Sequence, residues 1–302
     1  MKVLSLFDGI SCARVALERA GFAVELYYAS EIDRYAKQIS IKNYPDVLQI
    51  GDVKEIQSHL ITGIDLLIGG SPCQDLSIAK RDRKGLDGER SGLFWEYVRI
   101  LKEVKPKWFI LENVASMSKN NRDIISKTLG IEPIMIDASL VSAQSRKRYF
   151  WTNIPNVELP QDRNIRLKDI LLPDTYTEYD KSYPLTASYN SIDKNQRTMV
   201  WNKPIKVGHF KSGGQGQRVY SIDGKSVTLS AHGGGWGAKT GLYLIKDYAR
   251  KLEPIECERL QGLPDDYTAG ISKNKRRELL GNAFNVDVIA HILNGIKKYE
   301  NL

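Results

Sequence analysis

Short apolar runs alternate with helix-length amphipathic stretches through the first half of the chain. Val3 to Phe7, Val24 to Ala29, Leu66 to Ile68 and Trp108 to Leu111 read as buried strands, and between them Cys12 to Ala20 and Leu93 to Val104 have helical length and spacing. Strand and helix in alternation require right-handed crossovers, which cover both faces of a parallel sheet with helices. The expected fold is therefore α/β, a doubly wound, mostly parallel open sheet, with ligands at the carboxyl ends of its strands.

From about Pro155 this pattern is lost. Tyr, Asn, Ser, Gly and Lys dominate, and Gly208 to Gly241 is glycine-rich with short β-like pieces. This reads as a smaller β-rich domain over residues 155–267, set into a first domain of residues 1–154 that is completed by 268–302. Pro254 to Gln261 and Lys275 to Ile296 are expected to be helical, with Val286, Ile289, Ile292 and Leu293 at helical spacing. The last helix should pack back onto the first domain.

The chain has 302 residues, 42% hydrophobic and 26% charged, enough for a full core and a second domain. The 44 Lys and Arg outnumber the 36 Asp and Glu, and the formal charge of +8 favours a polyanionic partner without separating nucleic acid from other acidic surfaces. Cys12, Cys73 and Cys257 are odd in number and form no Cys-x-x-Cys pair, which argues against a disulfide framework or zinc site and for the cell interior. Asp8 cuts the first apolar run short of a signal peptide, and no later run reads as a membrane span, so a cytoplasmic protein with no membrane partner is expected. His209 and His232 lack acidic or cysteine partners at ligand spacing, so no metal is expected.

Four strand ends carry candidate chemistry. Ser5 to Ser11 closes the first strand with a tight turn and opens a helix, a position where free backbone amides can meet a nucleotide-like ligand; it also reads as an ordinary turn. Glu31, ending the second strand, can accept hydrogen bonds from ribose hydroxyls or cap a helix. The strand Asp65 to Ile68 leads into Gly69, Gly70, Ser71, Pro72, Cys73 and Gln74, which presents a thiol beside the candidate cofactor site rather than burying it. Glu112 brings an acid to the same sheet edge, as a reactive group or a structural cap. In a strand, Gln144, Arg146 and Arg148 would share one face and offer a fork of donors, or form a solvated basic edge.

These elements in this order resemble the DNA cytosine-5 methyltransferase family of bacterial or phage type. The family's Phe-x-Gly turn appears as Phe7, Asp8, Gly9; its Pro-Cys-Gln as Pro72, Cys73, Gln74; its Glu-Asn-Val as Glu112, Asn113, Val114; and its Gln-x-Arg-x-Arg as Gln144, Arg146, Arg148. Arg259, Leu260, Gln261, Gly262 and Pro264 resemble its segment joining two domains, and Gly281, Asn282, Ala283 its last motif. The likeness runs from Phe7 to Val286 and is weakest between about Asp162 and Lys211. One departure stands out: Ser11 and Cys12 follow the turn where family members often carry further glycines.

The resemblance implies a fold of the S-adenosylmethionine-dependent methyltransferase type, with the smaller domain recognising the target. It implies S-adenosyl-L-methionine as cofactor, met by Phe7 on the adenine, Gly9, Glu31 on the ribose, Asp52 near the adenine amine, Pro72, Leu93 and Asn282. Carbon 5 of cytosine is a poor nucleophile. Addition of the Cys73 thiolate at carbon 6 activates it; Glu112 would hold the ring, and Arg146 would position the base carbonyl and help to lower the thiol's pKa, with Arg148 also among the catalytic residues. The base must leave the duplex stack. Ser77, Arg81, Arg83, Lys84 and Arg90 lie in the basic, glycine-hinged segment Asp75 to Gly92 that could close over double-stranded DNA. Lys211, Gln215, Gln217 and Arg218 are candidates for reading bases, and Thr228 for a sugar-phosphate contact.

The same motifs leave open a transfer RNA cytosine-5 methyltransferase, for which the long second domain is a poor fit, and a catalytically silent DNA-binding regulator, which the pairing of Cys73 with Glu112 disfavours. A nicotinamide dehydrogenase lacks its Gly-x-Gly-x-x-Gly fingerprint here. The expected enzyme is a monomer acting in a bacterial or phage-infected cell, with a partner restriction endonuclease as one possible companion.

Overall fold

The computed structural model describes residues 1–71, 93–172, 206–209, 217–229, 241–245, 248–250 and 252–300. Its main sheet has the strand order β3-β2-β1-β4-β5-β7-β6, where β1 is Lys2–Leu6, β2 Leu26–Ser30, β3 Leu48–Gln49, β4 Leu66–Gly69, β5 Trp108–Val114, β6 Ile134–Asp137 and β7 Lys147–Thr152. The first five run parallel, and β7 lies antiparallel between β5 and β6. The expected, mostly parallel sheet is borne out, and the strands that depart from it lie at one edge.

Side chains alternate between two dry faces. Val3, Leu66, Ile68, Ile110 and Phe150 enter one cluster, and Leu4, Leu6, Leu67, Phe109, Leu111 and Trp151 the other. The first face is covered by α1 (Cys12–Arg19), α2 (Arg34–Asn43) and α7 (Val286–Glu300), through Ala16, Ile39, Ile289 and Leu293 among others. The second is covered by α3 (Leu93–Val104) and α4 (Lys119–Leu129), through Phe94, Tyr97, Ile100 and Ile125. A strand buried on both faces reads as a continuous apolar run, which is why the sequence pattern was clear.

Two expectations are corrected. The helix read over Lys275 to Ile296 is two helices, α6 (Lys273–Asn282) and α7, because Ala283 is extended and Asn285 starts α7 by accepting the Val288 amide at 3.1 Å. A gap of three residues is nearly one helical turn, so the apolar spacing continues across it and hides the break. Taken across that break, Lys273–Glu300 is, among the described residues, long and apolar enough by length and composition to cross a membrane, but 78% of its most apolar window is buried in the core. Secondly, Gln144 and Arg146 precede β7 rather than lying in it.

Residues 155–267 contribute a four-stranded sheet of order β11-β10-β9-β8, with β8 Lys206–His209, β9 Arg218–Ser221, β10 Leu242–Ile245 and β11 Tyr248–Arg250, followed by α5 (Pro254–Leu260). Tyr220, Leu229, Tyr243, Leu252 and Cys257 join the cluster under the first face of the main sheet. Main-chain bonds add to this join: Ser226 N donates to Ala143 O at 2.6 Å, and Ser145 N to Ser226 O at 3.0 Å. Lys225, fully buried, donates to the carbonyls of Ser142 and Ile165, and burial pushes its ammonium below the usual lysine range.

Candidate active site

The chain leaves β1 through a turn in which Phe7, Gly9 and Ser11 all have left-handed backbones, φ 55°, 62° and 60°. A side chain at Gly9 would meet no atom within 4 Å, so the turn faces open space. Asp8 N donates to Ser30 O at 3.0 Å and Gly9 N to Glu31 Oε2 at 2.8 Å, which ties the turn to the end of β2. Glu31 Oε1 meanwhile accepts from Ile32 N and Asp33 N, both at 2.8 Å. A carboxylate oxygen has two lone pairs, so Oε2 alone retains room for a ligand hydroxyl.

Asp52 caps the 3-10 turn Val53–Glu55 by accepting Lys54 N through Oδ1. Leu93 opens α3, half-buried, and Asn282 ends α6, exposed. Sequence reasoning missed Ile32: it follows Glu31 directly and is 69% exposed, an apolar surface in the segment whose amides hold the Glu31 carboxylate. Its one signal in the sequence was an isoleucine between two acids.

Glu112 sits on β5, and Arg148 on β7 stands opposite Val114, two residues along, hence on the same face. Arg148 Nε lies 2.8 Å from Glu112 Oε1, and both side chains are about one-seventh exposed, at 14% and 13%. The two residues line a small cavity, partly open to solvent, with Arg146, Phe150, Phe284 and Asn285. A Cβ on Gly70 would come within 2.8 Å of the Phe284 ring and 3.1 Å of Glu112 Oε2, so glycine is what lets the chain pass this close to the acid. Asn113, buried, donates to Ser71 O at 3.3 Å and Ser71 Oγ at 3.2 Å. The chain that continues to Cys73 is thus pinned to β5 beside Glu112.

Arg146 differs from the expectation. Its guanidinium donates to Leu229 O at 3.4 Å, Gly281 O at 3.3 Å and Ala283 O at 3.0 Å, the last two at the end of α6, and the side chain is buried. Carbonyls at a helix C-terminus attract a cation, and the planar fork meets several at once. Arg148 is the arginine whose ion pair with the acid is described above. Gln144, also buried, accepts the Leu229 amide at 3.2 Å, and Thr228 donates to Ser145 O at 2.5 Å, so three of the named side chains hold main chain.

Cys12 and Cys257 are fully buried, and burial pushes both thiols above the usual cysteine range. Arg218 opens β9, in the second sheet, and Gln217 stands just before it. Pro72, Cys73, Ser77, Arg81, Arg83, Lys84, Arg90, Lys211, Gln215 and His232 lie outside the described residues. Among the described residues no cluster of His, Cys, Asp and Glu forms a metal site.

A family model described as C-5 cytosine-specific DNA methylase matches residues 1–298. The chain is 32% identical over 313 residues to the type II methyltransferase M.HhaI of Haemophilus parahaemolyticus, covering 97% of this chain and 93% of that protein. It is 33% identical over 343 residues to the type II methyltransferase M.FnuDI of Fusobacterium nucleatum, covering 99% and 94%. Its fold is similar to the Entamoeba histolytica methyltransferase EhMeth, with TM-score 0.71 at 16% identity over 99% of this chain and 98% of that one. The S. pombe Dnmt2 methyltransferase aligns at TM-score 0.66 and 18% identity over the whole of both chains. With the motif order, the sheet and the match over nearly its whole length in agreement, the chain belongs to the C-5 cytosine-specific DNA methylase family.

Proposed function

We propose that this DNA cytosine-5 methyltransferase acts on a cytosine turned out of double-stranded DNA, with Cys73 as nucleophile and Glu112 and Arg148 as the pair that receives the base. One observation carries the reading: the segment leading to Cys73 is fastened beside the Glu112 carboxylate by Asn113 and by the close passage of Gly70. Cys12 and Cys257, buried with raised thiol pKa values, are poor candidates for the same role.

The residues around the first turn fit S-adenosyl-L-methionine, whose use is general in the family. The open side of the Gly9 turn, the apolar faces of Phe7 and Ile32 and the remaining Oε2 lone pair of Glu31 suit an adenosine; Asp52, Pro72, Leu93 and Asn282 complete the proposed contacts. Bound there, the cofactor supplies the methyl group from its sulfonium.

The Cys73 thiolate adds to carbon 6, and its electron pair pushes the ring π electrons toward carbon 5 and ring nitrogen 3. Glu112 shares a proton with that nitrogen as charge develops, while Arg148 holds the other carboxyl oxygen and reaches the base carbonyl. After carbon 5 has taken the methyl, its proton leaves to a base and the carbon–sulfur bond breaks, which returns the thiolate. Arg146 acts by holding Leu229 and the α6 end in register.

Residues 155–267 are proposed as the target-recognition domain, with Lys211, Gln215, Gln217 and Arg218 toward base edges, and Ser77, Arg81, Arg83, Lys84 and Arg90 toward the DNA backbone. We further propose a monomer in the cytoplasm of a bacterial or phage-infected cell. A partner restriction endonuclease is proposed because type II methyltransferases are among its relatives.

Duplex DNA with fluorine at carbon 5 of the target cytosine cannot lose a proton there. With cofactor present the enzyme should be trapped as a denaturant-stable adduct, and Cys73→Ser should form none. Trapping that persists in Cys73→Ser, or that maps by peptide mass to Cys12 or Cys257, would overturn the assignment.

A further inference from the structure

Ser11 occupies a left-handed backbone, φ 60°, at a position where a glycine would be unstrained. It is also the N-cap of α1, yet its hydroxyl makes no bond to the helix amides, the usual role of serine there. The hydroxyl turns inward instead and donates to Asp8 Oδ2 at 2.5 Å. Tyr27 OH donates to the other oxygen, Oδ1, at 2.6 Å.

The bonds behind Ser11 have one direction. Gln49 Nε2 can only donate, here to Ser40 Oγ at 3.0 Å. Ser40 Oγ lies 2.7 Å from Ser11 Oγ, whose single proton already goes to Asp8, so Ser40 donates to Ser11. Donors therefore converge on the Asp8 carboxylate from two sides. Asp8, Ser11, Ser40 and Tyr27 are all nearly or fully buried, where an unmade bond is costly and a made one holds geometry. Tyr267 OH fixes the same turn through Ile10 O, at 2.7 Å.

We propose that Asp8 is a positioning residue for cofactor binding: through Ser11 it locks Phe7–Ser11 in the left-handed form that the turn requires, replacing the conformational freedom of a glycine at position 11 with a buried hydrogen bond. The inference rests on the reading of that turn as the cofactor site. It accounts for the departure in the sequence, since the acceptor at position 8 offsets the strain of a serine in the left-handed backbone at position 11. Ser11 gives up its capping bond because the Asp8 bond fixes the turn itself.

The test is calorimetric binding of S-adenosylhomocysteine to the whole protein, with steady-state KM for cofactor and for DNA. Asp8→Asn keeps the shape but offers one oxygen to two hydroxyl donors, and should weaken cofactor binding about tenfold or more. KM for the cofactor should rise by more than KM for DNA or than kcat falls. Adding Ser11→Gly to Asp8→Asn should recover most of the lost affinity, which a general loss of core stability would not do. If Asp8→Asn does not fold, Ser11→Ala and Ser11→Gly decide: the alanine variant should bind cofactor more weakly than the glycine variant. Equal affinity in those two, or no recovery in the double variant, overturns the proposal. Phe7→Ala separates the two readings, because no loss there overturns the cofactor site, whereas loss in Phe7→Ala with none in Asp8→Asn overturns the role of Asp8 alone.

Discussion

The turn after β1 and the acid at the end of β5 lie on the same edge of one sheet and are held by opposite means. Phe7–Ser11 is fixed through main-chain groups and a buried set of hydroxyls, from Ser30, Glu31, Tyr27, Ser40 and Tyr267. Glu112 is met by an arginine side chain at the mouth of a cavity. Main-chain fixing keeps a binding surface in one shape before the ligand arrives, which lowers the ordering cost of binding. An ion pair facing a cavity can be rearranged by the incoming base, which lets the acid meet a proton-sharing partner where charge develops in the reaction. One region is built to be rigid, the other to respond.

The strongest way to break this contrast is at Glu112. Glu112→Gln should leave cofactor affinity and the unfolding midpoint close to the parent and slow methylation by roughly two orders of magnitude, since it removes an acid at the developing charge. Purified Glu112→Gln with near-parent turnover would take Glu112 out of the mechanism.

The two arginines sharpen it. Arg148→Met should lower kcat/KM by about tenfold to a hundredfold in a folded protein, by removing the partner of Glu112. Arg146→Lys keeps the charge but cannot span the carbonyls of Leu229, Gly281 and Ala283, and should cost about 2 kcal/mol of stability in denaturant unfolding. The reverse pattern, with Arg146→Lys stable but inactive and Arg148→Met active but unstable, would exchange their roles.

The smallest effect concerns the thiols. Burial raises the Cys12 and Cys257 pKa values, which lowers the thiolate fraction at any working pH, and the thiolate is the form that reacts. At about pH 8 iodoacetamide should therefore alkylate Cys73 alone in the native protein, and all three cysteines after unfolding. Native labelling of Cys12 or Cys257 at a comparable rate, read by peptide mass, contradicts their protected state.

Much of the site was legible because strand ends are local features. The run into Glu112 and the span Leu93 to Val104 could be read from apolar periodicity, and motif order linked the strand ends to one chemistry. Arg146 and Arg148 were not separable that way. Their spacing puts both on one side of a strand, but β7 starts at Lys147, and the antiparallel register with β5 brings Arg148 to the acid while Arg146 lies before the strand.

The sequence by itself determined the sheet's centre, the residues offered at its carboxyl edge and the family, since each is written in short runs of neighbouring residues. Tertiary structure decided which side chain meets which. Asp8 meets Ser11 and Tyr27 from two elements, Arg146 faces the end of a helix more than a hundred residues away, and Asn113 secures Ser71 from the adjacent strand. Such contacts depend on register, on the reversal of β7 and on the break between α6 and α7. These follow from packing the whole chain at once, and no local pattern encodes them.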